Sequence, residues 1–98
     1  MPDISIERED GENEGRYVAR IGGREGEAEI TFTRKGPNLI SADHTRAPES
    51  MRGTGAAAAL VERLIADARR EGFKIIPVCT YVQAQYRKHP EWADVIAQ

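Results

Sequence analysis

One junction constrains the fold more than any other feature. An alternating, extended half of the chain ends near Thr45, and a long helix opens after Arg52-Gly53-Thr54-Gly55-Ala56-Ala57. Before it, Ile4-Ser5-Ile6, Tyr17 to Ile21, Ala28 to Thr33 and Leu39 to Thr45 alternate apolar and polar side chains, the period of half-buried strands. The acidic stretch 10–15, Gly22-Gly23 and Gly36-Pro37-Asn38 punctuate them, which predicts an antiparallel meander with short links. After the junction, Ala57, Leu60, Val61, Leu64, Ile65 and Ala68 form a helical stripe that Gly72 stops. The apolar run from Lys74 to Cys79 follows a helix, so it is expected as a fifth strand, parallel to the fourth through a right-handed crossover. Pro77 cannot donate to a ladder, so this strand should be an edge or should part from its neighbour there. Thr80-x-x-Gln83 is a capping-box pattern opening a second helix, Tyr81 to Lys88, which His89-Pro90-Glu91 breaks. Trp92, Val95 and Ile96 are the packing face of a final turn.

Size and charge bound the rest. A chain of 98 residues predicts one domain, 1–98, with a single modest core. Its apolar runs are short, so neither a signal peptide nor a membrane span is expected. The one cysteine, Cys79, makes no internal disulfide or zinc site by itself; a cytoplasmic setting and no metal follow as expectations. A net charge of −2 argues against a dedicated nucleic-acid binder. The charge is uneven, however: residues 31–98 hold ten basic and seven acidic side chains, a net of +3. That balance suits an anionic ligand near the junction, although solvated charges also segregate for no such reason.

Two glycines and a run of alanines at a helix start expose backbone N–H groups at the positive end of the helix dipole, a seat for phosphate. Arg52 adds a forked cation beside it. A G-x-x-x-x-G-K-[ST] loop is excluded because no Lys stands at the required place. G-x-G-x-x-G/A is met by Gly53, Gly55 and Ala58. The strand after the helix nevertheless ends at Val78-Cys79 without the carboxylate a dinucleotide fold needs, and too little chain follows for a second half. Arg52, Gly55 and Ala57 also spell [RQ]-x-x-G-x-[GA], which resembles the pyrophosphate loop of the GNAT superfamily of N-acetyltransferases. On these six residues alone, a plain glycine turn before an alanine-rich helix remains equally open.

The resemblance extends over nearly the whole chain. The order of four strands, glycine loop, helix, strand and helix is similar to the GNAT core, without the usual helices between the first two strands and without the last two strands. The expected class is therefore α+β, a truncated GNAT fold. A minimal single-domain group within that superfamily has the pattern H-T-x-V-P, R-G-x-G-[IA]-[GA], P-x-C and Y-x-x-H-P-E-[YW]. Here stand His44-Thr45, Pro48, Arg52-Gly53-Thr54-Gly55-Ala56-Ala57, Pro77-Val78-Cys79 and Tyr86-Arg87-Lys88-His89-Pro90-Glu91-Trp92, in the same order.

What the resemblance implies is a site. Acetyl-CoA would be the co-substrate, with Arg52, Gly53, Thr54, Gly55, Ala56 and Ala57 holding its pyrophosphate. Strands four and five would splay, so that backbone groups from Asp43 through Thr45, Arg46 and Ala47 pair with the pantetheine arm and polarise the thioester carbonyl. Lys88 and His89 would contact CoA phosphates or form a solvated face. Tyr86 matches the tyrosine that protonates the leaving thiolate, and is otherwise ordinary core at helical spacing from Val82. Cys79 is a nucleophile or proton donor, or else a small buried apolar residue. His44 is a candidate base, since imidazole titrates near neutrality, or a sheet residue satisfied by Asp43 or the backbone. The chain departs from the pattern at Arg46-Ala47, where Glu then Val is common, and an arginine does not relay a proton. The implied function is an acetyl-CoA-dependent N-acetyltransferase acting by direct attack on a small amine, a lysine or an N-terminus, as a monomer or weak dimer without nucleic acid or membrane. The rivals are a CoA-binding module with little or no catalysis and an adaptor that uses an exposed edge strand.

Overall fold

The computed structural model describes residues 3–97; Met1, Pro2 and Gln98 of the expected 1–98 domain lie outside the described residues. Five strands form one sheet in sequence order: β1 (Ile4–Asp10), β2 (Glu14–Ile21), β3 (Ala28–Gly36), β4 (Leu39–Arg46) and β5 (Lys74–Pro77). The first four pair antiparallel and β5 lies parallel to β4. The helix α1 (Ala56–Glu71) makes the crossover between them, and α2 (Thr80–Lys88) follows β5. Single 3-10 turns occupy Glu49–Met51 and Pro90–Asp94.

Alternation places the core on one face of the sheet. Tyr17, Ala19 and Ile21 of β2, Ala28, Ile30 and Phe32 of β3, and Ile40 and Ala42 of β4 are buried. Against them α1 lays Ala56, Leu60, Val61, Leu64, Ile65 and Ala68. The stripe starts at Ala56 rather than Ala57, because positions 56, 60, 64 and 68 recur every fourth residue. Val82 from α2 and Trp92, Val95 and Ile96 join the same cluster. The opposite face is a lattice of ion pairs. Glu9 and Glu29 accept from Arg16 at 2.9 and 2.8 Å, and Glu27 accepts from Arg20 at 2.8 Å. Val18 is fully buried beneath it, in register with Glu7 and Glu29.

A buried carboxylate ties α1 to the sheet. Asp67, with no exposed surface, accepts from the Tyr17 hydroxyl at 2.8 Å and from Arg63 at 3.2 Å, and also pairs with Arg8 and Arg70. Burial alone would push this carboxyl upward; the Tyr17 hydroxyl and the Arg63 and Arg70 guanidiniums outweigh it and hold it below the usual range.

Several boundaries move. The β1–β2 turn occupies only Gly11–Asn13, because Asp10 and Gly15 already pair across the hairpin and Glu14 pairs with Thr33 of β3; the acidic composition of 10–15 suggested a wider turn. The link after Gly22-Gly23 runs on to Glu27. β5 ends at Pro77, and Cys79, expected at the end of that strand, is the N-cap of α2. The capping box at Thr80 does not form: Thr80 is already helical, and Gln83 Nε2 donates back to the Pro77 and Val78 carbonyls. Among the described residues no helix is long and apolar enough to cross a membrane.

Candidate functional site

The sheet opens at the β4–β5 boundary. Their register runs from Leu39↔Lys74 to Ala42↔Pro77 and stops where the proline nitrogen has nothing to donate. Val78 then turns outward: its N–H bonds to the Ile76 carbonyl two residues back at 2.9 Å, and its side chain is 54% exposed. One further bond, Cys79 N–H to the Ala42 carbonyl at 2.8 Å, closes the crotch. Beyond it, His44, Thr45 and Arg46 of β4 pair with β3 on one side, and among the described residues no strand lies on the other. The expectation from Pro77 is met: β5 parts from β4 at that residue, and it is the last strand in the sheet order, its outer side bridged at Ile75 by Ile96 of the C-terminal segment.

The glycine loop faces this fork. Gly53 and Gly55 have φ of 76° and 84°, the left-handed region in which a β-carbon is strained, and a β-carbon at either would meet nothing within 4 Å. Thr54 orders the loop by donating its hydroxyl to the Met51 carbonyl at 2.6 Å and accepting from the Ala56 N–H at 3.3 Å. The first bond that α1 returns is Ala59 N–H to the Gly55 carbonyl. The amides of Gly55, Ala57 and Ala58 find no acceptor among the described residues, as the first turn of a helix dictates. Arg52 projects from the surface at 81% exposure, and its ion-pair partner among the described residues is Glu49 at 3.8 Å.

Loop and fork share one cavity of about 290 Å³, bounded by Thr45, Ala47, Pro48, Glu49, Arg52, Ala57 and Tyr81. Tyr81 was not singled out from the sequence. Its position one residue past the start of α2 turns it toward the loop, and burial, with Cys79 and Glu62 nearby, pushes its phenol above the ordinary range. Cys79 is buried, with its Sγ 3.1 Å from Thr45 Oγ1, so strand four and the start of α2 touch through these two side chains. Tyr86 lies seven residues beyond Cys79, two turns along the same helix face, half-buried against the core.

Other candidates fall elsewhere. His44 is exposed on the opposite face of the sheet, in a groove of about 780 Å³ with Asp43 and Val78. It is not paired through Asp43, whose carboxylate takes hydroxyls from Thr33 and Ser41 instead. Arg46 is 80% exposed and 3.9 Å from Glu29, on the ion-pair face. His89 stacks on Trp92 at 4.5 Å and pairs with Glu91 at 3.2 Å, in a hollow against Glu62 and Arg69 of α1 rather than at the glycine loop. Lys88, beside it, is exposed at the C-terminal end of α2.

The family model of GCN5-related N-acetyl-transferases matches residues 16–95. The chain belongs to that family. Among solved structures it is similar to the solution structure, by NMR, of a GCN5-like N-acetyltransferase candidate from Staphylococcus aureus. The two share 30% identity at a TM-score of 0.67, over 93% of this chain and 87% of the other. No curated protein matches it. As a GCN5-related domain the chain has the α+β fold of that solved neighbour, and its family takes acetyl-CoA as co-substrate.

Proposed function

We propose that the chain transfers acetyl from acetyl-CoA to an amine at the fork between β4 and β5. One coincidence carries the reading: Arg52 and Ala57, at the two ends of a loop whose glycines open on free space, share a cavity with Thr45 and Ala47 at the strand-free end of β4. The residues present fit the co-substrate. Pyrophosphate suits the amides of Gly55, Ala57 and Ala58, where side chains are absent or reduced to methyls, with Arg52 as the added cation. A pantetheine arm suits the edge over 43–46, with the backbone of Thr45, Arg46 and Ala47 as its partner.

Acetyl-CoA supplies an activated acyl group: the amine nitrogen bonds to the thioester carbonyl carbon, the C–S bond breaks, the amine gives up a proton and the thiolate takes one. In this reading a backbone N–H of the free β4 edge stabilises the carbonyl oxygen as it gains charge. His44 receives the amine proton from the open face, and a phenol returns one to sulfur: Tyr86, two helical turns beyond Cys79, or Tyr81, which lines the loop-side cavity. Cys79 lines the fork. Its thiol faces a threonine hydroxyl and no base, which favours direct attack over a covalent relay.

A CoA-binding module without turnover is the second reading, favoured by Arg46 at a position where a carboxylate would relay a proton. Calorimetry with acetyl-CoA followed by thiol release with a panel of primary amines tests both. The proposal expects binding and release; binding without release supports the module, and absence of binding overturns both.

A further inference from the structure

The groove on the outer face of the sheet lies away from the glycine loop, yet it reaches the fork. Val78, the residue at which β5 leaves β4, forms part of its wall, and so do Asp43 and His44 of β4 and Thr31 and Thr33 of β3. Its volume of about 780 Å³ exceeds that of the loop-side cavity. Two cavities therefore meet the same parting of strands from opposite sides.

We propose that this groove takes the acceptor, and that Asp43 anchors the reacting amine, so that the acceptor is an aliphatic amine with a second cationic centre. The inference rests on the acetyl-transfer reading. Asp43 sits in an irregularity of β4, where the register skips from Phe32↔Ala42 to Thr31↔His44. Such a bulge re-aims a side chain. Two hydroxyls fix the carboxylate: Thr33 donates to one oxygen at 2.5 Å and Ser41 to the other at 2.7 Å. Each oxygen keeps a lone pair. On the same surface Glu7, Glu9, Glu27 and Glu29 are each taken by an arginine, whereas Asp43 has no cationic partner among the described residues. Hydroxyls leave its charge intact, and an ammonium is the group that completes it.

The far end of the groove sets the second requirement. Glu14, also without a cation among the described residues, lies on β2 in register with Thr33, which is in register with Ser41. Two strand spacings across and two residues along separate Glu14 from Asp43 by roughly 10–12 Å of backbone. A linear polyamine reaches between them, and a short monoamine does not. His44, next to Asp43 in the same wall, stands where the proton leaves the anchored ammonium before attack.

Backbone amide spectra of the protein, titrated separately with acetyl-CoA, spermidine and propylamine, test this. Spermidine is expected to shift the amides of Glu14, Thr31, Thr33 and Asp43 and to bind at least tenfold tighter than propylamine. Asp43→Asn should lose those shifts and raise the KM for spermidine tenfold or more, while the dispersion of its amide spectrum reports that the variant folds. Glu14→Gln, at an exposed position, should weaken spermidine severalfold and leave propylamine unaffected. Acetyl-CoA shifts without spermidine shifts in the groove, or spermidine shifts that persist in Asp43→Asn, would overturn this inference alone. Absence of acetyl-CoA shifts would take down the transfer reading and the inference with it.

Discussion

Compare the sheet at β1–β3 with the sheet at the β4–β5 fork. On β1–β3, Arg16 is shared by Glu9, Glu27 and Glu29, and Asp67 is closed in by Tyr17 and three guanidiniums. At the fork, helix amides lack acceptors among the described residues, a strand edge ends without a neighbour, two glycines look into open space and Arg52 extends outward with Glu49 at 3.8 Å. Polar groups that hold the fold are satisfied from within the chain, because leaving them unmet in the interior costs stability. Those at the fork are left at the surface, where water tolerates them and where the proposed co-substrate would replace it. The difference predicts that substitutions at the two ends separate binding from stability.

The largest separation is expected from Gly55→Glu. A carboxylate over the first-turn amides should weaken acetyl-CoA at least about a hundredfold, near 3 kcal/mol. The left-handed φ adds a stability cost of about 1–2 kcal/mol. Calorimetry on the folded variant checks this, and unchanged affinity removes the loop from the site. Asp67→Ala should do the reverse. It should cost about 3 kcal/mol by chemical denaturation, since a buried carboxylate leaves arginines and a buried phenol unmatched, with acetyl-CoA affinity preserved.

Acid sharpens the same contrast. The folded carboxyl of Asp67 titrates below its unfolded value, so the unfolded state binds its proton first. Its stabilisation is complete above roughly pH 4 and is lost as pH falls through the folded value. The gap between wild type and Asp67→Ala should therefore narrow below pH 4, measured by denaturation across pH; a gap that stays constant there would contradict it.

Smaller effects belong to the fork walls. Cys79→Ala should keep turnover within about threefold and cost about 1 kcal/mol of stability. Intact-mass spectrometry after acetyl-CoA should find no adduct on Cys79; an acetyl thioester discharged by amine would restore the covalent route. Arg52→Ala should weaken acetyl-CoA only severalfold, because an exposed charge contributes about 0.5–1 kcal/mol, and the weakening should shrink in high salt.

Much of the fold was legible in the sequence because one-dimensional periods report it. Alternation marked β2, β3 and β4, the fourfold stripe marked α1, and Pro77 marked where β5 parts from β4. Ends were less legible. Asp10, Glu14 and Gly15 look like a turn by composition and are strand by cross-strand pairing. The Thr80 capping box lost to a helix that starts at Thr80 itself, with Gln83 reaching back to two strand carbonyls. At the site, the glycine loop was visible because αL glycines and small residues are sequence signals. The side-chain geography was not: Tyr81 enters the cavity wall, His89 turns to α1, and Asp43 is held by Thr33 across the sheet. Each of these depends on contacts between strands or helices distant in sequence, which no local pattern encodes.

The central claim is that acetyl-CoA occupies the loop and the fork together. Titrating the isotopically labelled protein with acetyl-CoA, and following each backbone amide, tests it directly. The account predicts shifts at Arg52 to Ala58, at 43–47 and at Cys79 to Tyr81, with Arg8, Tyr17 and Asp67 unmoved. Saturable shifts confined to the ion-pair face, or none at millimolar ligand, would contradict it.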